Sequence, residues 1–284
     1  MGKFYEALRR SGTFKKQTDT KSFPQVVRVP TETAKQSKLD GMPPESPAKS
    51  YGVSPIGLDP RLSSVLDPAS PAAECFKMLR TKLLVASRER PLRSIMVTSA
   101  EPLDGKSLVA ANLAISIAQG INEYVMLVDC DLRAPNVHKM FNLKPSYGIQ
   151  DYLADGTSVS PYLVRTNLKK LTFLPGSRPA PNPSELLCSQ KMRLLVEELK
   201  SRYDDRYIIF DSPPARFAAE TAFLARLMDA VILVVRYGKT QRNQILETIE
   251  NVGREGILGV VFNCSLERAA DYQYYYRYYR RREG

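Results

Sequence analysis

The chain has 284 residues, a formal charge of +11 at pH 7, 43% hydrophobic and 25% charged residues. That length holds one domain of about 200 residues with tails, or two small domains, and the composition is that of an ordinary globular protein. The positive charge asks for an anionic partner (nucleotide, nucleic acid or acidic lipid headgroups) without choosing among them. No run approaches the roughly 18–20 apolar residues of a membrane span. The start carries no apolar core of a signal peptide, and Glu6 stands where a myristoylation motif has Ser or Thr. The expected location is therefore the cytoplasm, with any membrane attachment supplied by a partner. Cys75, Cys130, Cys188 and Cys264 form no Cys-x-x-Cys pair, which argues against zinc and disulfides and for buried reduced thiols. The single histidine, His138, excludes most histidine-based triads and metal sites and reads as a surface or packing residue.

Residues 1–70 open with Phe4 and Leu8 opposite Arg9 and Arg10, the spacing of a short amphipathic helix. The segment then turns to Lys, Thr, Ser and Pro, with too few aliphatic side chains to offset its ordering entropy. It is read as a disordered basic linker. From Pro71 the pattern tightens, and the folded domain is placed at 71–265. Phe76, Leu79, Leu83 and Leu84 recur at three- and four-residue spacing, which predicts a helix over 72–90. Apolar runs then alternate with helical stretches such as 106–119 and 191–203. The runs are Ser94–Ser99, Tyr124–Asp129, Leu171–Leu174, Tyr207–Asp211, Ala230–Arg236 and Ile257–Asn263. They are nearly continuous in bulky apolar residues, as strands covered on both faces are. The expected fold is α/β, a doubly wound, mostly parallel sheet with ligands beyond the carboxyl ends of its strands.

The first run leads into Ala100-Glu101-Pro102-Leu103-Asp104-Gly105-Lys106-Ser107, and a helix begins at the lysine. A phosphate-binding loop needs inward-facing amides at a helix N-terminus, a lysine for the β/γ oxygens and a hydroxyl for Mg²⁺. Gly105, Lys106 and Ser107 supply these, and Ala100 replaces the first glycine of the usual pattern. A chance Gly-Lys-Ser would not sit between a strand and a helix. The second run ends in Asp129-x-Asp131, two carboxylates able to face one site, one accepting a proton and the other holding metal. The fourth ends Phe210-Asp211-Ser212-Pro213-Pro214, the layout in which a strand-end aspartate reaches Mg²⁺ through water. After Ser265 comes a different segment, 266–284, with Tyr272, Tyr274, Tyr275, Tyr276, Tyr278 and Tyr279 interleaved with charge and no periodicity that would bury them. Such a tail is an acceptor, a stacking surface for single-stranded nucleic acid, or an adhesive low-complexity segment.

Together these motifs resemble the bacterial tyrosine kinases of polysaccharide export, deviant-Walker P-loop ATPases related to the MinD and ParA proteins. The resemblance extends to Leu171–Ser189 and to Glu74-x-x-Lys77-x-x-Arg80, similar to a family Glu-x-x-Arg-x-x-Arg helix that assembles subunits into a ring. It implies an ATP- and Mg²⁺-dependent tyrosine autokinase. Each tail would be phosphorylated in a neighbour's site, beside a membrane activator of the chain-length-regulator type and a phosphotyrosine phosphatase, with no nucleic acid. It would act on the inner face of the plasma membrane and regulate exopolysaccharide or capsule production.

On that reading Ala100, Asp104, Gly105, Lys106, Ser107, Leu108 and Asn263 contact the nucleotide, and Ser107, Asp131 and Asp211 hold the metal. Lys106, Asp129, Asp131 and Asp211 carry the chemistry, with Asp129 as the base that a tyrosine of pKa near 10 requires. Two departures stand out. The family's Pro-Gly-Glu-Gly-Lys is here Pro102-Leu103-Asp104-Gly105-Lys106, so a positive φ at Leu103 would strain the loop by roughly 1–3 kcal/mol. Lys77 replaces an arginine and gives up bidentate pairing. The rival reading is a MinD/ParA-like ATPase switch, but such loops carry an extra early lysine that Ala100-Glu101-Pro102 lacks, and they have no tyrosine tail. A third is a weakly active scaffold, should Leu103 spoil the loop.

Overall fold

The structure is a computed structural model that describes residues 57–166, 168–202 and 205–265. Its framework among these residues is a seven-stranded sheet of order β3-β4-β2-β5-β1-β6-β7. The strands are β1 Ser94–Ser99, β2 Tyr124–Asp129, β3 Val164–Arg165, β4 Leu171–Leu174, β5 Arg206–Asp211, β6 Ala230–Arg236 and β7 Ile257–Asn263. All neighbours are parallel except β3, which pairs antiparallel with β4. Six of the seven follow the apolar runs of the sequence. The two-residue β3 leaves no periodic signal to find.

Period-two alternation divides the core between the faces of the sheet. Ile95 and Val97 of β1 and Val125 and Leu127 of β2 join one cluster. Met96, Met126 and Val128 join the other. The first face is covered by α1 (Ser63–Leu66), α2 (Pro71–Glu89) and α3 (Lys106–Ala118), followed along the chain by the short α4 (Val137–Met140). The second is covered by α5 (Ile149–Asp155), α6 (Pro183–Leu187), α7 (Gln190–Arg202) and α8 (Ala219–Leu227). Helix α9 (Arg242–Val252) links β6 to β7. Helix α2 starts where Ser70 accepts the Ala73 amide at 3.2 Å and Pro71 occupies the first turn, the usual chemistry of a helix N-terminus. No described helix is long and apolar enough to cross a membrane.

The packed unit reaches upstream of Pro71, which corrects the linker reading for residues 57–70. Leu58 and Leu62 lie in the core. Buried Asn112 on α3 donates to the Arg61 carbonyl and accepts the Ser64 amide, both at 3.1 Å. Two leucines four residues apart are enough to anchor this segment, although the composition averaged over 70 residues hides them. Residues 1–56 and the tail 266–284 lie outside the described residues. The cysteine expectation is also corrected: Cys130 is buried, but Cys75, Cys188 and Cys264 are exposed.

Candidate functional site

Strand register brings the predicted carboxylates together. Asp129 and Asp211 are paired positions at the ends of β2 and β5, and Val97 of β1 pairs with Asp211. The 100–106 loop leaves β1 beside them and turns into α3. Gly105 has φ 94°, and Leu103 has φ 65°, so the loop holds a leucine in the left-handed region, with the strain anticipated above.

Side chains that face away from the cleft hold this loop. Buried Asp104 accepts the Glu101 amide at 3.1 Å and the Thr240 hydroxyl at 2.9 Å. Asn263, at the end of β7, donates to the Asp104 carbonyl at 2.8 Å. The Glu101 carboxylate accepts from Arg216 and from Gln244 of α9. Thr240, Arg216 and Gln244 carry no local motif and were not found in the sequence. They enter because β5 and β6 flank β1 in the sheet, so that Arg216 after β5, and Thr240 and Gln244 after β6, reach the loop that follows β1.

In front of the loop is a cleft of about 900 Å³, whose lining includes Gly105, Lys106, Ser107, Leu108 and Asp131. Ala100 and Asp104 sit behind it, fully buried or nearly so, and Asn263 buttresses the loop from β7. The side chains of these three residues therefore shape the loop. Asp129 and Asp211 are fully buried and do not line the cleft.

Lys106 Nζ lies 2.7 Å from Asp131 Oδ2 and 3.3 Å from Ser107 Oγ. Burial works against its charge, but Asp211, Asp131 and Asp129 outweigh burial and hold the ammonium above the ordinary lysine range. Among the described residues, neither Asp211 oxygen has a hydrogen-bond partner. Its burial pushes it up to about 6, against the pull of Lys106 and the nearby Ser107 hydroxyl. Asp129 is raised well above the usual carboxylate range by burial and then by Asp211 and Asp131. Its oxygens accept three amides at 3.2 Å, from Asp131, Asn136 and Val137. Through these three contacts Asp129 pins the loop after β2. Asp131 is the member of the pair that reaches the cleft.

Orphaned oxygens on a buried carboxylate beside a hydroxyl and a lysine fit a hydrated divalent cation. Among the described residues no three His, Cys, Asp or Glu side chains form a direct ligand cluster. Ser107, Asp131 and Asp211 suit a cation held partly through water.

Around this centre, Arg133 reaches fully buried Glu220, with Nε 2.8 Å from Oε1, and Ser184 of α6 donates to the same carboxylate at 2.9 Å. Two of the sequence segments that carry the resemblance, 129–135 and 182–187, therefore meet through Glu220. His138 lines the cleft yet is mostly buried, with Nδ1 unpartnered among the described residues. On α2, Lys77 pairs with Glu74 at 2.6 Å and donates to the Pro68 carbonyl, and Arg80 donates to the Ser116 carbonyl at the end of α3. These three residues stabilise the subunit itself. The six tail tyrosines lie outside the described residues.

No protein-family model matches the chain. The chain is 35% identical over 215 residues to the tyrosine-protein kinase YwqD of Bacillus subtilis, covering 75% of this chain and 90% of that protein. The solved kinase domain of the Escherichia coli tyrosine kinase ETK superposes with a TM-score of 0.66 at 28% identity, covering 74% and 83% of the two chains. At 21% identity and a TM-score of 0.52, the septum site-determining protein MinD of Pyrococcus horikoshii, solved with Mg-ADP, shares the fold alone, over 63% and 76%. A loop, lysine and carboxylate set at the sheet's carboxyl edge, joined to identity of this extent over almost a whole tyrosine kinase, places the chain in the family of bacterial tyrosine-protein kinases.

Proposed function

We propose that this kinase transfers the γ-phosphate of ATP to Tyr272, Tyr274, Tyr275, Tyr276, Tyr278 and Tyr279 of a neighbouring copy. The observation that carries the reading is the convergence of Lys106, Ser107 and Asp131 on one cleft, with Asp211 buried behind them, in a chain whose terminus holds six tyrosines within eight residues. Phosphoryl transfer is chiefly positioning and charge stabilisation. The loop amides from Gly105 and the start of α3 hold the phosphates, and Lys106 exchanges part of its contact with Asp131 for the β/γ oxygens. Ser107, Asp131 and Asp211 would hold Mg²⁺, which neutralises phosphate charge. The acceptor proton goes to a carboxylate oxygen of Asp131, the one of the two carboxylates that faces the cleft, while Asp129, the base expected from the sequence, is buried behind it and holds the Asp131 and Val137 amides. Asn263 acts through the loop it supports.

From the family resemblance we add a ring-like homo-oligomer using Glu74, Lys77 and Arg80. The same resemblance gives a membrane activator of the chain-length-regulator type, an opposing phosphatase and a place on the inner face of the plasma membrane in capsule or exopolysaccharide production. The deciding experiment is a phosphotyrosine immunoblot of purified protein with ATP and Mg²⁺, with Lys106→Ala as control. Tail-localised signal absent from the control is expected. Equal signal in both, or phosphate confined to Tyr147 or other upstream tyrosines, overturns the assignment.

A further inference from the structure

Two large apolar side chains at the mouth of the cleft have no use in holding a nucleotide's phosphates. Leu103 is 86% exposed, and Phe217, in the segment after β5, is 59% exposed. Both line the same cleft, beside Pro102 and Pro214. Neither is exposed for want of an alternative. Leu103 occupies the left-handed region at φ 65°, where glycine would sit without strain, so its side chain is displayed at a conformational cost. Phe217 is held in place by its neighbour: the Arg216 guanidinium lies 5.6 Å from the ring centroid and is itself clamped between Glu101 of the loop and Glu247 of α9. The ring is thus tied to the phosphate loop.

We infer that Leu103 and Phe217 form a lip that binds the aromatic ring of the acceptor tyrosine, with residues 272–279 of a copy of this chain as its occupant. This rests on the tail being the substrate and adds the subsite that selects it. The chemistry fits one ring at a time: an apolar side chain and an aromatic face receive a phenol whose hydroxyl must point inward toward Asp131 and the γ-phosphate. The placement fits as well. β7 ends at Asn263 against the Asp104 carbonyl, so the chain leaves the sheet at the same end as the cleft. Tyr272 follows Ser265 by only seven residues, a reach of at most about 25 Å. A lip that recognises rings and not flanking side chains also accounts for a run of near-equivalent tyrosines, any of which satisfies it.

The test uses the full chain and a synthetic peptide of residues 266–284 as acceptor, with KM measured separately for peptide and for ATP. Phe217→Ala should raise the peptide KM roughly threefold to tenfold, the range of a lost aromatic or apolar contact, with the ATP KM within about twofold of wild type on the same scale, and Leu103→Ala, which keeps an L-residue at the strained position, should raise the peptide KM as well. Phe217→Tyr should restore the peptide KM. An unchanged peptide KM in both variants overturns the lip while leaving the tail as substrate, as does a peptide KM that moves only in step with the ATP KM. If Phe217→Ala changes self-association in sedimentation and not the peptide KM, the lip is a contact between copies and the inference fails. Wild-type enzyme that never modifies the peptide overturns the tail reading and the lip together.

Discussion

Lys106 and Asp131 form an ion pair of 2.7 Å in which both side chains are largely buried, so the lysine that meets phosphate is also the counter-charge for a cluster of three carboxylates. Lys106→Met therefore does more than remove a ligand-binding charge. It leaves Asp129, Asp131 and Asp211 facing one another without a cation. Breaking a buried pair from one side costs about 3–5 kcal/mol, and proton uptake by the cluster recovers part of that. The expected result is loss of tail phosphorylation together with a lower melting temperature at pH 7.5. The temperature should be partly restored by adding Asp131→Asn. Unaltered melting in Lys106→Met would mean that the pair contributes nothing to the fold.

Asp211 gives a pH dependence of definite sign. Its folded pKa of about 6 lies above the ordinary 3.8, so the folded state binds this proton more tightly than the unfolded state. Its contribution to stability is thus greatest below pH 4, falls as the pH rises toward 6, and is flat above. A shift of about two units corresponds to ~3 kcal/mol. Asp129 acts in the same direction. Carboxylates with lowered pKa values, such as Asp59 and Asp229, slope the other way, so the informative quantity is a difference. In chelator, Asp211→Asn should gain stability relative to wild type at pH 7.5 and lose that gain at pH 4.5. The same offset at both pH values would show that Asp211 is not carrying the raised pKa.

Glu220 is fully buried, and its carboxyl is held below the usual range because Arg133 and Ser184 outweigh the effect of burial. Arg133 is half-exposed, so solvent relieves part of the loss when it is removed. Arg133→Ala should cost about 2 kcal/mol in urea unfolding. Arg133→Lys should recover only part of this, since a lysine cannot make the two contacts of the guanidinium fork. Glu220→Gln in the Arg133→Ala background should be more stable than Arg133→Ala alone. If it is not, the buried charge is being met by another group.

What was legible in advance follows from how local each signal is. Strands β1, β2, β4, β5 and β6 are buried along most of their length and so read as apolar runs, β7 reads the same way although Val260 and Phe262 are exposed, and the Gly105-Lys106-Ser107 turn declares itself through a few adjacent residues. Three things were not legible. Leu58 and Leu62 pack onto α3 from within a segment whose average composition is that of a linker. The loop's supports, Thr240, Arg216 and Gln244, come from more than 100 residues downstream and depend on strand order. The buried state of Asp129 depends on Asn136 and Val137 folding back over it. Asp129→Asn therefore does not simply preserve shape, because an amide nitrogen replaces one of two oxygens that accept backbone N–H groups.

Gly105 and Asn263 provide the most stringent test of the loop. Gly105 sits at φ 94°, and a Cβ built there would lie 2.0 Å from Asn263 Nδ2. Gly105→Ala therefore faces two separate obstacles. The first is backbone strain of about 1–2 kcal/mol for an L-residue in the left-handed region. The second is displacement of the Asn263 amide from the Asp104 carbonyl. Asn263→Ala alone removes the hydrogen bond and opens space, so it should cost about 1 kcal/mol and weaken nucleotide binding modestly. The double variant should bind nucleotide better than Gly105→Ala alone, because the clash is gone, yet worse than Asn263→Ala, because the strain remains. Calorimetric titration with an ATP analogue and Mg²⁺ across the four proteins gives this ordering directly. A double variant no better than Gly105→Ala would place the whole defect in the backbone and leave Asn263 without a part in holding the loop.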